Sequence, residues 1–334
     1  MILSRLAETI YWMARYIERA ENTARIIMVN ANLLMDLPKG IAPGWDPIIT
    51  ITGSTELFNE HYSELIERNA VKFLVVDKLN PGSIVNSLAN ARENLRTTRA
   101  IVPAGVWESL NDLYHYTEKN KTKGLSRKSR YEYLTYIIRS CQLITGNISS
   151  SMSHDQTYKF VRLGRYLERA DMITRVLEVR AGNLLPKVGE GLQPFEDIQW
   201  KSILESLAAY QMYRRHVHVR VKGSAVLGYL LLDKEFPRSI TYCITDIEIS
   251  LRALPNNEAS LRTLGRVQRM VDQTDIRDID QQELNEYMNE LQILLGRVHK
   301  QLAMVYFQSE QHKKPCPTEA ESVAIKTEEE EVAA

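Results

Sequence analysis

The chain has 334 residues, 44% apolar and 25% charged, enough to bury a substantial core as one large domain or two intimate ones. Forty-two basic residues balance forty-two acidic ones, so no global field draws the protein to nucleic acid or to an anionic membrane. Arg5 and Glu8 interrupt the stretch a signal peptide would need, no uncharged run is long enough to span a bilayer, and Cys141, Cys243 and Cys316 lack CxxC or Cys/His metal spacing, so the reading is a cytoplasmic protein without a disulfide framework.

Residues 2–36 read as one long helix. Leu3, Leu6, Ile10, Met13, Ile17, Ala20, Ala24, Ile27, Ala31 and Leu34 recur at alternating spacings of three and four, the stripe of a helix packed against others. Leu37 and Pro38 end it, and Gly40, Pro43 and Gly44 keep the next stretch out of helix. Helical patterning covers 56–76, 84–118 and 130–148. A second long helix, about 155–183, carries Phe160, Leu163, Leu167, Ala170, Thr174, Leu177 and Ala181 on one stripe and stops at Leu185 and Pro186. Helices follow over 198–231, 239–254, 259–272 and 281–308, the last opened by an Asp280/Glu283 capping box. Two short strand-like patterns, 71–76 and 216–222, read as helical or irregular among such neighbours. Residues 311–334 are an acidic, solvated tail. The fold class is all-α.

The chain repeats itself. Arg15, Tyr16, Ile17, Glu18, Arg19, Ala20 and Glu21, closing at Arg25, return as Arg165, Tyr166, Leu167, Glu168, Arg169, Ala170 and Asp171, closing at Arg175. Asp77, Lys78, Pro81, Ser83 and Ile84 likewise return as Asp233, Lys234, Pro237, Ser239 and Ile240. A duplicated helical unit is expected, with halves 1–148 and 149–310 packed as one domain about a pseudo-two-fold axis, because one half alone lacks a partner for its apolar face.

Two readings of the repeated charges stand side by side. In one, Glu18 and Glu168 form buried ion pairs between the central helices and specify register. In the other, Arg15, Arg25 and their counterparts converge on a cleft and clamp a carboxylate or phosphate, with the glutamates positioning them. The 77–84 and 233–240 blocks read as a turn followed by a helix start with proline at its first position. Their serines are either local first-turn partners or, where Arg238 replaces Gly82, part of an anion site with Arg214, Arg215 and Arg220 nearby. Asp272, Asp275 and Asp278 have magnesium-like spacing but read as a loop. No Walker loop, GxSxG or GxGxxG occurs, and no metal or cofactor is expected.

Residues 4–25, 163–171 and 230–239 resemble the bacterial alpha-E family, and the resemblance runs over about 1–310. It implies an all-helical fold with a recurrent Glu–Arg motif, whose residues carry over as Arg15, Glu18, Arg19, Arg25, Arg165, Glu168, Arg169, Arg175, Arg238 and Ser239. Met172 and Ile173 depart from the pattern and leave the two stripes unequal. Members accompany circularly permuted ATP-grasp amide ligases, transglutaminase-like peptidases and a proteasome-related peptidase. The resemblance therefore implies a non-catalytic or co-catalytic partner of an ATP-grasp ligase in peptide or peptide-tag synthesis or modification, binding the ligase or an anionic peptide through an Arg/Glu-lined cleft. A transglutaminase-like peptidase is a further expected partner, and homo-oligomerisation is left open. The alternatives are a free-standing enzyme acting on a carboxylate substrate with Glu18 or Glu168 as base, and a purely structural scaffold. A carboxylate flanked by arginines has a lowered pKa and makes a poor base at neutral pH, which favours the partner reading.

Overall fold

The structure, a computed structural model, describes residues 4–38, 42–181, 195–217, 221–275 and 279–307. In chain order the α-helices are α1 (Ser4–Asp36), α2 (Asp46–Ile51), α3 (Thr55–His61), α4 (Glu67–Val75), α5 (Ile84–Thr98), α6 (Ala104–Lys119), α7 (Lys121–Leu125) and α8 (Arg127–Ser151). They continue with α9 (Gln156–Val176), α10 (Glu196–Ser206), α11 (Tyr210–His216), α12 (Gly223–Leu232), α13 (Ile240–Arg252), α14 (Glu258–Asp272) and α15 (Gln281–Leu302). No strand occurs among the described residues, and none of their helices is long and apolar enough to cross a membrane.

Helix α1 ends at Leu37 and Pro38, where its periodicity stops. It is the longest element, at 33 residues, and buried positions fall on every face from Ala7 to Leu33 because α5, α8, α9 and α10 surround it. Helix α9 packs on α1, α13 and α15, continues as a π turn over Leu177–Ala181, and is shorter as a regular helix than α8. One apolar cluster runs from Ala7 to Leu302 and joins both parts of the chain.

Three of the long expected helices are broken. The 84–118 pattern divides because Pro103 holds Val102 extended, at φ −119° and ψ 152°. The 56–76 pattern divides where Tyr62 turns extended and donates its hydroxyl to Asp77. The 198–231 pattern divides at Ala208, which takes a left-handed φ of 53°, and again after His216. Of the strand-like patterns, 71–75 is helical, and 216–222 is a helix end followed by irregular chain where it is described. The Asp280/Glu283 capping box forms. The stop at Leu185 and Pro186, the tail 311–334, and Cys316, His218, Arg220 and Asp278 lie outside the described residues.

The α1–α9 crossing is set by a glycine. A Cβ on Gly164 would lie 2.2 Å from the Tyr11 carbonyl oxygen and 3.3 Å from Ala14 Cβ, so only a bare backbone fits. In a free helix, Gly→Ala would gain about 1 kcal/mol of propensity. Here the overlap is with main chain rather than a flexible side-chain end, and overpacking of that kind costs about 1–3 kcal/mol or more. Gly164→Ala is therefore expected to lower the melting temperature. A rise in thermal unfolding experiments would show that the two helices separate freely at this point.

Candidate functional site

The Glu–Arg runs of α1 and α9 face each other and pair crosswise. On one side, Glu168 accepts from Arg15 Nε at 2.6 Å and from Arg19 Nε at 2.5 Å, with Arg19 Nη2 adding a bond of 3.1 Å. On the other, Glu18 accepts from Arg169 Nε and Nη2, both at 2.8 Å. Both glutamates are at least 97% buried, with relative exposures of 2% and 3%. The side of α1 opposite its apolar stripe is thus an interior face lined with charge. Rings close around it: the Arg15 guanidinium lies 4.9 Å from the Trp12 ring centre, and Arg15 Nη1 donates to Tyr11 Oη at 3.1 Å. Tyr11 in turn bonds His299 Nδ1 of α15 at 2.8 Å.

Electrostatics follow from this packing. Burial pushes the Glu18 carboxyl up, but Arg169 and Arg238 outweigh it and hold its pKa at about 2. Burial likewise raises Glu168, and Arg15 and Arg19 bring it below the usual carboxylate range. Both are anionic at neutral pH, with no spare basicity for proton abstraction.

The second block behaves differently in its two copies. Ser83 and Ser239 are the N-caps of α5 and α13, accepting from Asn86 N at 3.3 Å and Tyr242 N at 3.0 Å. The preceding prolines sit two residues outside the caps, not at the first helical position as expected, because the serines need extended backbone to turn their hydroxyls onto the helix. Ser239 also donates to the Asp233 carbonyl and is fully buried, so it is a structural cap.

Arg238 is not an open anion site either. Its guanidinium reaches the interior, donating to Glu18 at 3.2 Å, Asn22 at 2.9 Å and Glu21 at 2.8 Å. Arg214 and Arg215 are exposed on α11 and have no ion pair with this network among the described residues.

The remaining motif residues divide between interior and cavity. Arg25 pairs with Glu21 and leaves its buried Nε without a partner among the described residues. Arg165 is 9% exposed and makes no hydrogen bond to a described residue; burial, then repulsion from Arg169, lowers its pKa. Arg175 pairs with Asp171 at 2.8 Å. Of the expected group, Arg19, Glu168 and Arg175 border a cavity of about 320 Å³ beside Gly82, whereas Arg15, Glu18 and Arg165 do not. A larger cavity of about 450 Å³, against Trp45 and Tyr131, is less suited to a charged ligand because its Glu67 is matched by Arg127 and Arg130. The motif spacing made the charges visible, but at the cavity Thr23 and Gly53 carried no sequence signal as ligand residues, and Gly82 and Asp171 none beyond their place in the repeat.

Known proteins place these features in a wider group. A family model named Alpha-E, described as "a predicted alpha-helical domain with a conserved ER motif", matches residues 2–307. An uncharacterized protein of Mycobacterium bovis is 24% identical over 330 residues, covering 89% of this chain and 35% of its own length. Uncharacterized proteins of Mycobacterium tuberculosis strains CDC 1551 and H37Rv show the same identity and coverage. The chain spans about a third of the length of these curated relatives. No solved structure matches it.

Stability should report the buried pairs. A carboxylate whose folded pKa is depressed stabilises the fold above its unfolded pKa, and that contribution is lost as pH falls through the folded value. For Glu18 the window runs from about 4.5 down to about 2, and the full shift corresponds to about 3 kcal/mol. Glu18→Gln leaves Arg169 without a carboxylate, while Arg238 keeps Glu21, and is expected to cost about 3–5 kcal/mol at pH 7. The gap to wild type should shrink as the pH is lowered through that window. Urea unfolding of both proteins from pH 7 to pH 2.5 measures it, and a constant gap would mean that Glu18 is not the titrating group.

Proposed function

This chain belongs to the Alpha-E family, and from that premise we propose that it works as a non-catalytic or co-catalytic partner of a circularly permuted ATP-grasp amide ligase. In this role it binds the ligase or an anionic peptide substrate during synthesis or modification of a peptide or peptide tag. A transglutaminase-like peptidase is a second partner of the same system. The observation that carries the reading is the saturation of both motif glutamates by paired arginines, beside a cavity edged by Arg19 and Arg175. A general base needs a pKa near the working pH; these carboxylates are held far below it, so they position arginines instead of moving protons. In the mycobacterial relatives the matched region is about a third of the chain, which fits a domain that acts beside another activity.

The reading includes a duplicated architecture, with halves 1–148 and 149–310 related by an approximate two-fold rotation. The crosswise pairing of Glu18 with Arg169 and Glu168 with Arg19 supports it, as do Ala14 and Gly164, which stand at equivalent repeat positions and meet at the crossing. Helix α8 runs three residues past the boundary, so the connection between halves is 152–155. Neither half should fold stably alone, since each would expose the charged and apolar interior face of its long helix. Circular dichroism of residues 1–151 expressed separately tests this, and a cooperative melt like that of the whole chain would count against the duplication as a shared core.

Pull-down and calorimetry against a circularly permuted ATP-grasp amide ligase test the partnership. Wild type is expected to bind. The Arg19→Gln/Arg175→Gln double variant should bind about tenfold or more weakly, the scale of losing charge-assisted hydrogen bonds. Multiple-turnover chemistry by the purified chain alone would overturn the partner reading in favour of a free-standing enzyme.

A further inference from the structure

The cavity beside Gly82 has the makings of a ligand site that the repeat itself explains. In the second copy, Arg238 fills the equivalent space and spends its guanidinium on Glu18, Glu21 and Asn22. Beside Glu168 the place of Arg238 is taken by Gly82, and that of Asn22 by Met172. Both Gly82 and Met172 line the open volume of about 320 Å³. The missing side chain leaves room, and the groups around that room decide what can enter.

Donors dominate. Thr23 lines the cavity, is 1% exposed, and its Oγ1 has no hydrogen-bond partner among the described residues. A buried hydroxyl left unsatisfied carries a desolvation penalty that a ligand atom can relieve. Arg19 uses Nε and Nη2 on Glu168, and its Nη1 makes no hydrogen bond to a described residue. Arg175 uses Nε on Asp171, and both of its terminal nitrogens are likewise free of described partners. Its Nη1 lies only 2.9 Å from where a Cβ on Gly53 would stand, at a φ of +66°, so that glycine clears the space the guanidinium occupies.

Charge selects the sign and size of the ligand's head group. Glu168 already has two arginines, since Arg15 supplies the contact that Arg238 makes to Glu18 in the other copy, so a further cation is not called for. Arg15, Arg19 and Arg175 against Glu168 and Asp171 leave one positive charge uncompensated, which a single carboxylate balances and a phosphate dianion overshoots. The volume is at the small end of the range for small-molecule sites, and Met172 and Leu57 give it an apolar wall.

We propose that this cavity binds the free carboxylate of an amino acid or short peptide, which Arg19 and Arg175 grip while Thr23 donates a further hydrogen bond. This deepens the peptide-binding half of the proposed function and rests on that reading for the ligand class.

The test is calorimetry of the full chain with alanylalanine, alanylalanine amide, agmatine and inorganic phosphate. The free acid should bind, and the amide should bind about tenfold or more weakly because it loses a charge-assisted contact. Arg175→Gln, at a side chain one-third exposed, should weaken the acid by a similar factor while the melting temperature holds. Gly82→Arg, which restores the filling side chain of the other copy, should abolish binding. The proposal is overturned if acid and amide bind equally, if agmatine or phosphate binds more tightly than the acid, or if no heat accompanies the acid. Undiminished binding by folded Arg175→Gln overturns it as well, and this variant decides the matter if Gly82→Arg does not fold. Acid binding without ligase binding would remove the partnership alone, and ligase binding without acid binding would remove this site alone.

Discussion

The close approach of α1 and α9 at Gly164 is the constraint on which the rest depends. With the Tyr11 carbonyl only 2.2 Å from where a Cβ would be, the two backbones nearly touch, and the long side chains on either side of the contact are forced across the interface. Burying a charge costs several kcal/mol even after relaxation, and mutual attraction offsets this only when geometry and hydrogen bonding are good. The crossed pairs meet that condition through two-nitrogen contacts on Glu18 and Glu168. Sliding either helix by one turn would strand carboxylates and guanidiniums together, so the pairs fix register more than they add stability.

Near-identical runs therefore end in different surroundings. Around Glu18 the third contact comes from α13's leading turn through Arg238, and Arg165 is left without a hydrogen bond to a described residue. Around Glu168 the third contact comes from Arg15, and the place of Arg238 is open. The surroundings of Glu18 are closed by the chain's own Arg238. Those of Glu168 keep a polar hollow, where Thr23 Oγ1 has no hydrogen-bond partner among the described residues.

Overall neutrality hides this local field. Arg15, Arg19, Arg25, Arg165, Arg169, Arg175 and Arg238 gather around Glu18, Glu21, Glu168 and Asp171, an excess of cations in a region mostly shielded from water. Such an excess is worth more in low dielectric than on a salt-screened surface. It suits holding an anion and does not suit general-base chemistry, since every nearby carboxylate has an arginine partner.

What the sequence determined by itself was local. Helical periods, the turn and helix start around Ser83 and Ser239, the Asp280/Glu283 box and the doubled Glu–Arg motif all depend on residues within a few positions of one another, and each is readable as spacing. Val102 and Pro103 were a local signal too, but the surrounding periodicity masked the break they impose. Only the tertiary structure decided that Glu18 pairs with Arg169, that Arg238 is interior, and that the hollow lies beside Gly82. The ion pairs among those outcomes join residues 151 to 220 positions apart. They follow from how closely Gly164 lets two backbones approach and from which copy supplies a side chain to fill the space, and neither distance nor vacancy is encoded in spacing along a single helix.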